Sequence, residues 1–231
     1  MKIKNLIALF LCLSLLLCGC GASEEPERGT ITPAETEAQT KAEEKVSLGV
    51  MEGGTYENTY IGYGCTLGEG WVYKTAEELQ DISGMTQEIL DGTDIGDQVD
   101  AYSQITDMFA ENLDLLMNIN ILYSRLTPQQ RLVQFALTEE QMVDATLEQK
   151  DLLVTSYSQA GIEVSTLEKV TVTFLGQERT AIHTEATIDG VNYYILQLFE
   201  MDLGGSYYVT LTLSSFVEDN TVSMLDLFHP L

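Results

Sequence analysis

Asp189-Gly190 is the most restrictive dipeptide in the chain. It separates two runs that read as strands, and a two-residue type I′ turn needs positive φ at both central positions. That turn sets a register. Ile188 falls opposite Val191, Glu185 opposite Tyr194, Thr184 opposite Ile195 and Ile182 opposite Gln197. Arg179 then meets Glu200 at the open end, an opposite-charge pair that supports the same register. Further strands near 168–175 and 206–216 extend this hairpin (179–188 and 191–202) into a four-stranded antiparallel meander. The strand 191–202 is apolar on both faces, with Ile195 and Phe199 on one and Leu196 and Leu198 on the other. This pattern predicts helices on both sides of the sheet.

Upstream, the folded part begins near Gly54, within a span of 51–231. Thr55–Tyr60 and Ile61–Leu67 read as extended. Ile61, Tyr63, Cys65 and Leu67 share one face by period-two alternation. Gly68-Glu69-Gly70 turns into Trp71-Val72-Tyr73. Thr75 with Glu78 forms a capping box for a short helix, and Thr138 with Gln141 forms a second one. The second opens a long helix over 139–160, with Met142, Val143, Ala145, Leu147, Leu152, Leu153 and Tyr157 inward and Gly161 as its stop. Between the helices, 105–110 and 116–125 read as extended. A last helix is expected over 219–228, capped by Asp219 and ended by Pro230. This order of elements predicts an α+β fold, a mainly antiparallel sheet flanked by helices.

The amino-terminal segment carries a different signal. Lys2 and Lys4 precede an apolar run over 5–17 that closes in Leu17-Cys18-Gly19-Cys20. The run is shorter than the roughly 20 residues a membrane span needs. It reads as a lipoprotein signal peptide, 1–19, cut before Cys20, whose thiol takes the lipid. Residues 20–50 then form a Glu-, Thr- and Pro-containing tether that cannot bury enough surface to order itself. The expected location is the extracytoplasmic face of the cell membrane. The net charge is −25, with 36 acidic against 11 basic residues. That balance excludes nucleic acid, whose binding is driven by Lys and Arg on phosphate. It also excludes docking on anionic headgroups through a basic patch, so the membrane is held through the lipid on Cys20 alone. Cys12 and Cys18 leave with the signal and Cys20 is lipidated. Cys65 is left unpaired, and its place among apolar residues makes it a buried structural thiol.

No Gly-x-Ser-x-Gly, His-Glu-x-x-His or P-loop motif is present, and no metal or cofactor is assigned. His183 shares a strand face with Arg179, Glu185 and Tyr194. A base oriented by Glu185 is one reading, and a polar strand residue without a catalytic partner is the favoured one. His229 lies beside Pro230 and carries no assigned role. Asp91, Asp94, Asp97 and Asp100 recur every third residue on a Gly-containing stretch. They do not match the EF-hand spacing and read as a solvated acidic loop rather than a calcium site. Among the aromatic residues, Trp71, Tyr193 and Tyr207 are assigned to the core. Tyr208, Tyr194 and His183 make the candidate binding set, with Tyr208 the most exposed.

The run Asn58-Thr59-Tyr60-Ile61-Gly62-Tyr63-Gly64-Cys65-Thr66-Leu67-Gly68-Glu69-Gly70-Trp71 resembles the opening of PsbP-like and DcrB-like domains. The hairpin at Val172-Thr173-Phe174-Leu175-Gly176 and the closing strands fit the same pattern. The likeness spans most of 54–230, and Glu69 stands where the usual Pro precedes Gly-Trp. This resemblance implies an α/β/α sandwich used as a non-catalytic accessory or binding module. The functional expectation is an envelope lipoprotein that grips an unidentified envelope protein. The alternative is an envelope hydrolase working through acidic residues.

Overall fold

A computed structural model describes residues 47–75, 78–79, 104–126, 137–201 and 207–231. The expected signal, the lipidated Cys20, most of the tether and the Asp91–Asp100 stretch lie outside the described residues. Eleven strands are described: β1 (Val50–Glu52), β2 (Thr55–Asn58), β3 (Tyr63–Thr66), β4 (Trp71–Tyr73), β5 (Gln104–Asn112), β6 (Met117–Arg125), β7 (Ile162–Phe174), β8 (Gln177–Ile188), β9 (Val191–Met201), β10 (Tyr207–Phe216) and β11 (Phe228–Pro230). Two helices, α1 (Glu139–Glu148) and α2 (Lys150–Gln159), stand between β6 and β7.

The strands form two antiparallel sheets. The larger has the order β4-β5-β6-β10-β9-β8-β7, and the smaller has the order β1-β2-β3-β11. The Asp189-Gly190 turn sits where the sequence put it, with φ of 52° and 80°. The β8–β9 register also follows, pairing Ile188 with Val191, Glu185 with Tyr194 and Thr184 with Ile195. At the open end Arg179 Nη1 donates to Glu200 Oε1 at 2.8 Å.

The α/β/α sandwich is overturned. Both faces of β9 are covered, but by different kinds of layer. Ile195 and Phe199 pack beneath the helices, with Leu153 and Tyr157 of α2 and Met142 and Val143 of α1. Leu196 and Leu198 pack instead against the smaller sheet, beside Tyr56, Tyr63, Cys65 and Phe228. An apolar strand face is satisfied by any apolar cover, so two-sided apolarity cannot choose helix over sheet. The amino-terminal hairpins carry the matching alternation, and they become the second cover. The described fold is therefore β-rich, two sheets with helices on one outer side. Edge-to-face rings join the layers: Tyr63 and Phe174 have centroids 5.3 Å apart, and Phe174 and Phe228 5.5 Å. Such pairs contribute about 0.5–1.5 kcal/mol each beyond burial.

Two expected helices also differ. The run 139–160 is broken at Gln149, whose N–H turns to Thr146 O at 3.1 Å. The Thr138–Gln141 capping box is present at its start, and Gly161, with φ of 81°, ends it. The stripe between Leu147 and Leu153 is polar at Lys150, so nothing holds the middle to the sheet. Each half settles on its own apolar cluster, and Leu152 is left 56% exposed. The segment 219–228 is a short 3-10 turn, Ser223–Leu227, leading into β11. Pairing of Phe228 with Cys65 and of Pro230 with Tyr63 draws it out as a strand. Pro is tolerated there because it stands at the end of the strand.

Candidate functional site

The candidate residues occupy opposite faces of the larger sheet. His183 pairs with Leu196 and so lies on the face beneath the smaller sheet, and Glu185 and Tyr194 follow on that face nearer the Asp189-Gly190 turn. Tyr208 pairs with Met201 and stands on the helix side. There it stacks on Phe199, with centroids 5.5 Å apart and planes 22° apart. Tyr208 and Tyr194 are both half-buried. The structure therefore puts His183 and Tyr194 on one face of the sheet, as diagonal positions rather than cross-strand partners, and Tyr208 on the other.

His183 is buried and its ring is oriented by Asp219, not by Glu185. Its Nε2 lies 2.9 Å from Asp219 Oδ2. An ionised carboxylate only accepts, so the ring donates through Nε2. Glu185 is held instead by Thr166, whose hydroxyl donates to its Oε2 at 3.2 Å. Asp219 is itself fixed: its Oδ1 accepts from the N–H of Thr221 at 3.0 Å and from its hydroxyl at 2.7 Å. Ser215 Oγ accepts from Asn220 N at 3.1 Å, and Ser223 donates to Asn220 O at 2.8 Å. These hydroxyls brace the loop after β10 rather than face the imidazole. The chemistry is that of a latch between β8 and the carboxyl-terminal loop.

A second polar centre lies between the sheets. A register shift between Thr106 and Met108 makes Asp107 an extra residue in β5, and a bulge re-aims a side chain in this way. Its carboxylate accepts from Tyr56 Oη at 2.5 Å, Asn58 Nδ2 at 2.7 Å and Gly49 N at 2.8 Å. Asn58 also donates to Tyr123 Oη at 3.0 Å and to Ser47 O at 3.3 Å. Burial pushes the Asp107 carboxyl up to about 6, against the opposing pull of those three donors. The centre ties β2 and the residues entering β1 to the middle of β5.

On the helix side, Asn118, Gln197, Thr210, Thr212 and Ser214 form a buried polar block on β6, β10 and β9. Gln197 Nε2 donates to Thr212 Oγ1 at 3.4 Å. The signal for this block is the alternation of Asn118, Asn120 and Ser124 with apolar residues in β6. Cys65 is fully buried, and burial pushes its thiol up to about 12, as befits a packing residue. Among the described residues, no three His, Cys, Asp or Glu side chains are grouped to hold a metal, and no helix is long and apolar enough to cross a membrane.

No family model matches the chain, and no curated protein matches it. Among solved structures, the chain is similar to the solution structure of cyanobacterial PsbP (CyanoP) from Synechocystis sp. PCC 6803. The identity is 15%, the match covers 77% of this chain and 91% of that one, and the TM-score is 0.41.

Proposed function

We propose that this chain is a lipid-anchored, non-catalytic binding module on the extracytoplasmic face of the cell membrane. The observation that carries the reading is the basic–apolar–Leu17-Cys18-Gly19-Cys20 segment. The manner in which the chain enters the fold supports it. Ser47 and Gly49 are fastened to Asn58 and Asp107, near Tyr123, which pairs with Ile105 close to the start of β5. The loops of the opposite sheet end lie about 20 Å away, six residues along β6 at roughly 3.3 Å each. Tension from an anchor thus falls on a buried, three-donor carboxylate, and the far loops are left to meet a partner. The His183–Asp219 pair braces a loop in this reading and performs no turnover.

Membrane fractionation of cells producing the chain with Cys20→Ala tests the anchor. The wild-type chain is expected in the membrane fraction and the variant in the soluble one. Retention of the variant in the membrane fraction overturns the proposal.

A further inference from the structure

The loops at the end of the larger sheet farthest from the Ser47–Gly49 entry present large aliphatic side chains to solvent. Leu113 is 52% exposed, Leu115 57% and Leu116 40%, in the β5–β6 turn. Val217 after β10 is 57% exposed, and Val191 after the β8–β9 turn is 43% exposed. They are neighbours. Phe216 N donates to Leu116 O at 3.1 Å and Val217 N to Asn192 O at 3.0 Å, which links the three loops. The rim crosses four adjacent strands, about 14 Å at the usual strand spacing.

Two of these residues are also held in backbone conformations that disfavour them. Leu116 has φ of 54° and Val217 φ of 70°. Val217 is the centre of a three-residue turn in which Glu218 N donates to Phe216 O at 2.8 Å. That γ-turn, with positive φ, is the strained form, and a β-branched residue there is an outlier. Glycine would relieve both the strain and the exposure. Strain of this kind concentrates at binding sites.

The charges around the rim define what fits it. Glu69, Asp114, Asp189 and Glu218 are exposed in or beside these loops, and the loops contain no Lys or Arg. Lys74, the cation nearest in sequence, is bound to Glu111 at 2.5 Å. A second copy of the chain would bring carboxylates against carboxylates, and an anionic lipid surface would be repelled in the same way. An apolar centre framed by carboxylates complements a segment with an apolar face and Lys or Arg along its borders.

We propose that this rim docks a basic amphipathic segment of a partner protein, roughly ten helical residues in length at 1.5 Å each. The proposal rests on the binding-module reading and gives that reading a partner class.

The test uses the full chain in non-ionic detergent and a labelled Leu/Lys amphipathic peptide of about 14 residues, with a Leu/Glu peptide of the same pattern beside it. Wild type is compared with Leu115→Ser/Val217→Gly in the same micelles, so peptide taken up by detergent cancels. The Lys peptide is expected to bind wild type, to weaken with added salt, and to lose about tenfold or more on the variant. The variant is expected to unfold at a temperature equal to wild type or up to about 4 °C higher, because the strain at Val217 is gone. Equal binding by both chains overturns the proposal, as does equal binding of the Glu peptide. A lower unfolding temperature for the variant overturns it by showing that the rim side chains serve the fold. Self-association lost in the variant assigns the rim to a second copy. Rim-dependent binding to phosphatidylcholine vesicles assigns it to lipid. Either result overturns the protein-segment proposal. The Cys20→Ala fractionation is unaffected by any of these results, so failure of the anchor and failure of the rim are read separately.

Discussion

Replacing Asp107 with Asn separates the cost of burying its charge from the hydrogen bonds that hold it. The carboxyl rises from an ordinary value of 3.8 to about 6 in the fold. A raised acid pKa means that the folded chain binds more proton than the unfolded chain between those two values. Stability from this group is therefore fully present below about pH 4 and is lost as pH rises through 6. About two units at 1.36 kcal/mol each give about 3 kcal/mol. Asn does not titrate, and its amide places N–H₂ against one of the three donors, a pH-independent cost of about 1–3 kcal/mol. Urea unfolding of both full chains, in steps from pH 4 to pH 7, measures the difference between them. Wild type minus Asp107→Asn is expected to fall by about 3 kcal/mol across that range. Subtraction removes every other titrating group that the two chains share. A flat difference would show that the three donors fully offset burial. A difference that rises with pH would mean that the carboxylate is stabilised by the fold, and either outcome refutes the reasoning.

Two further perturbations follow from buried groups. Arg179 bonds Glu139 Oε2 at 2.9 Å and Glu200 Oε1 at 2.8 Å, and burial holds the Glu200 carboxyl above its ordinary range. Arg179→Ala is expected to cost about 3–5 kcal/mol in chemical unfolding at pH 7, and less in acid, where Glu200 takes up a proton; an equal cost at both pH values would contradict this. Cys65 should resist thiol reagents until denaturant is added, and rapid labelling of the folded chain would contradict its burial.

The strand register was legible because Asp189-Gly190 admits one turn geometry and the register it sets brings Arg179 to Glu200 at the open end. Period-two alternation of Ile61, Tyr63, Cys65 and Leu67 located β3 and the burial of Cys65. The identity of the second layer was not legible. Leu196 and Leu198 demand an apolar cover, and nothing local says that it comes from Tyr56 and Tyr63. The Asp107 centre was hidden for a related reason. Ile105 shares a face with Met108 and Ala110 only because the chain shifts register between Thr106 and Met108, and no residue there signals a bulge. Asp219 carried the pattern of a helix cap, and one oxygen does accept locally from Thr221, but the other closes on His183 of a distant strand. Local chemistry identified it as an acceptor and could not name this second donor.

The smaller sheet has a kinetic consequence. Its strand β3 has β2 on one side and β11 on the other, so it joins the beginning of the described chain to its last residues. The ring contacts of Tyr63 with Phe228 at 5.8 Å and of Phe174 with Phe228 at 5.5 Å close with that pairing. Loop-closure entropy must be met before such distant contacts return any stability. The larger sheet's β7–β10 meander can assemble from near neighbours, but the cover over Leu196 and Leu198 is completed only when residues 228–230 are available. A late, non-local closing step is therefore expected in folding, and a chain interrupted before Phe228 would leave the Tyr63 and Phe174 rings without their third partner.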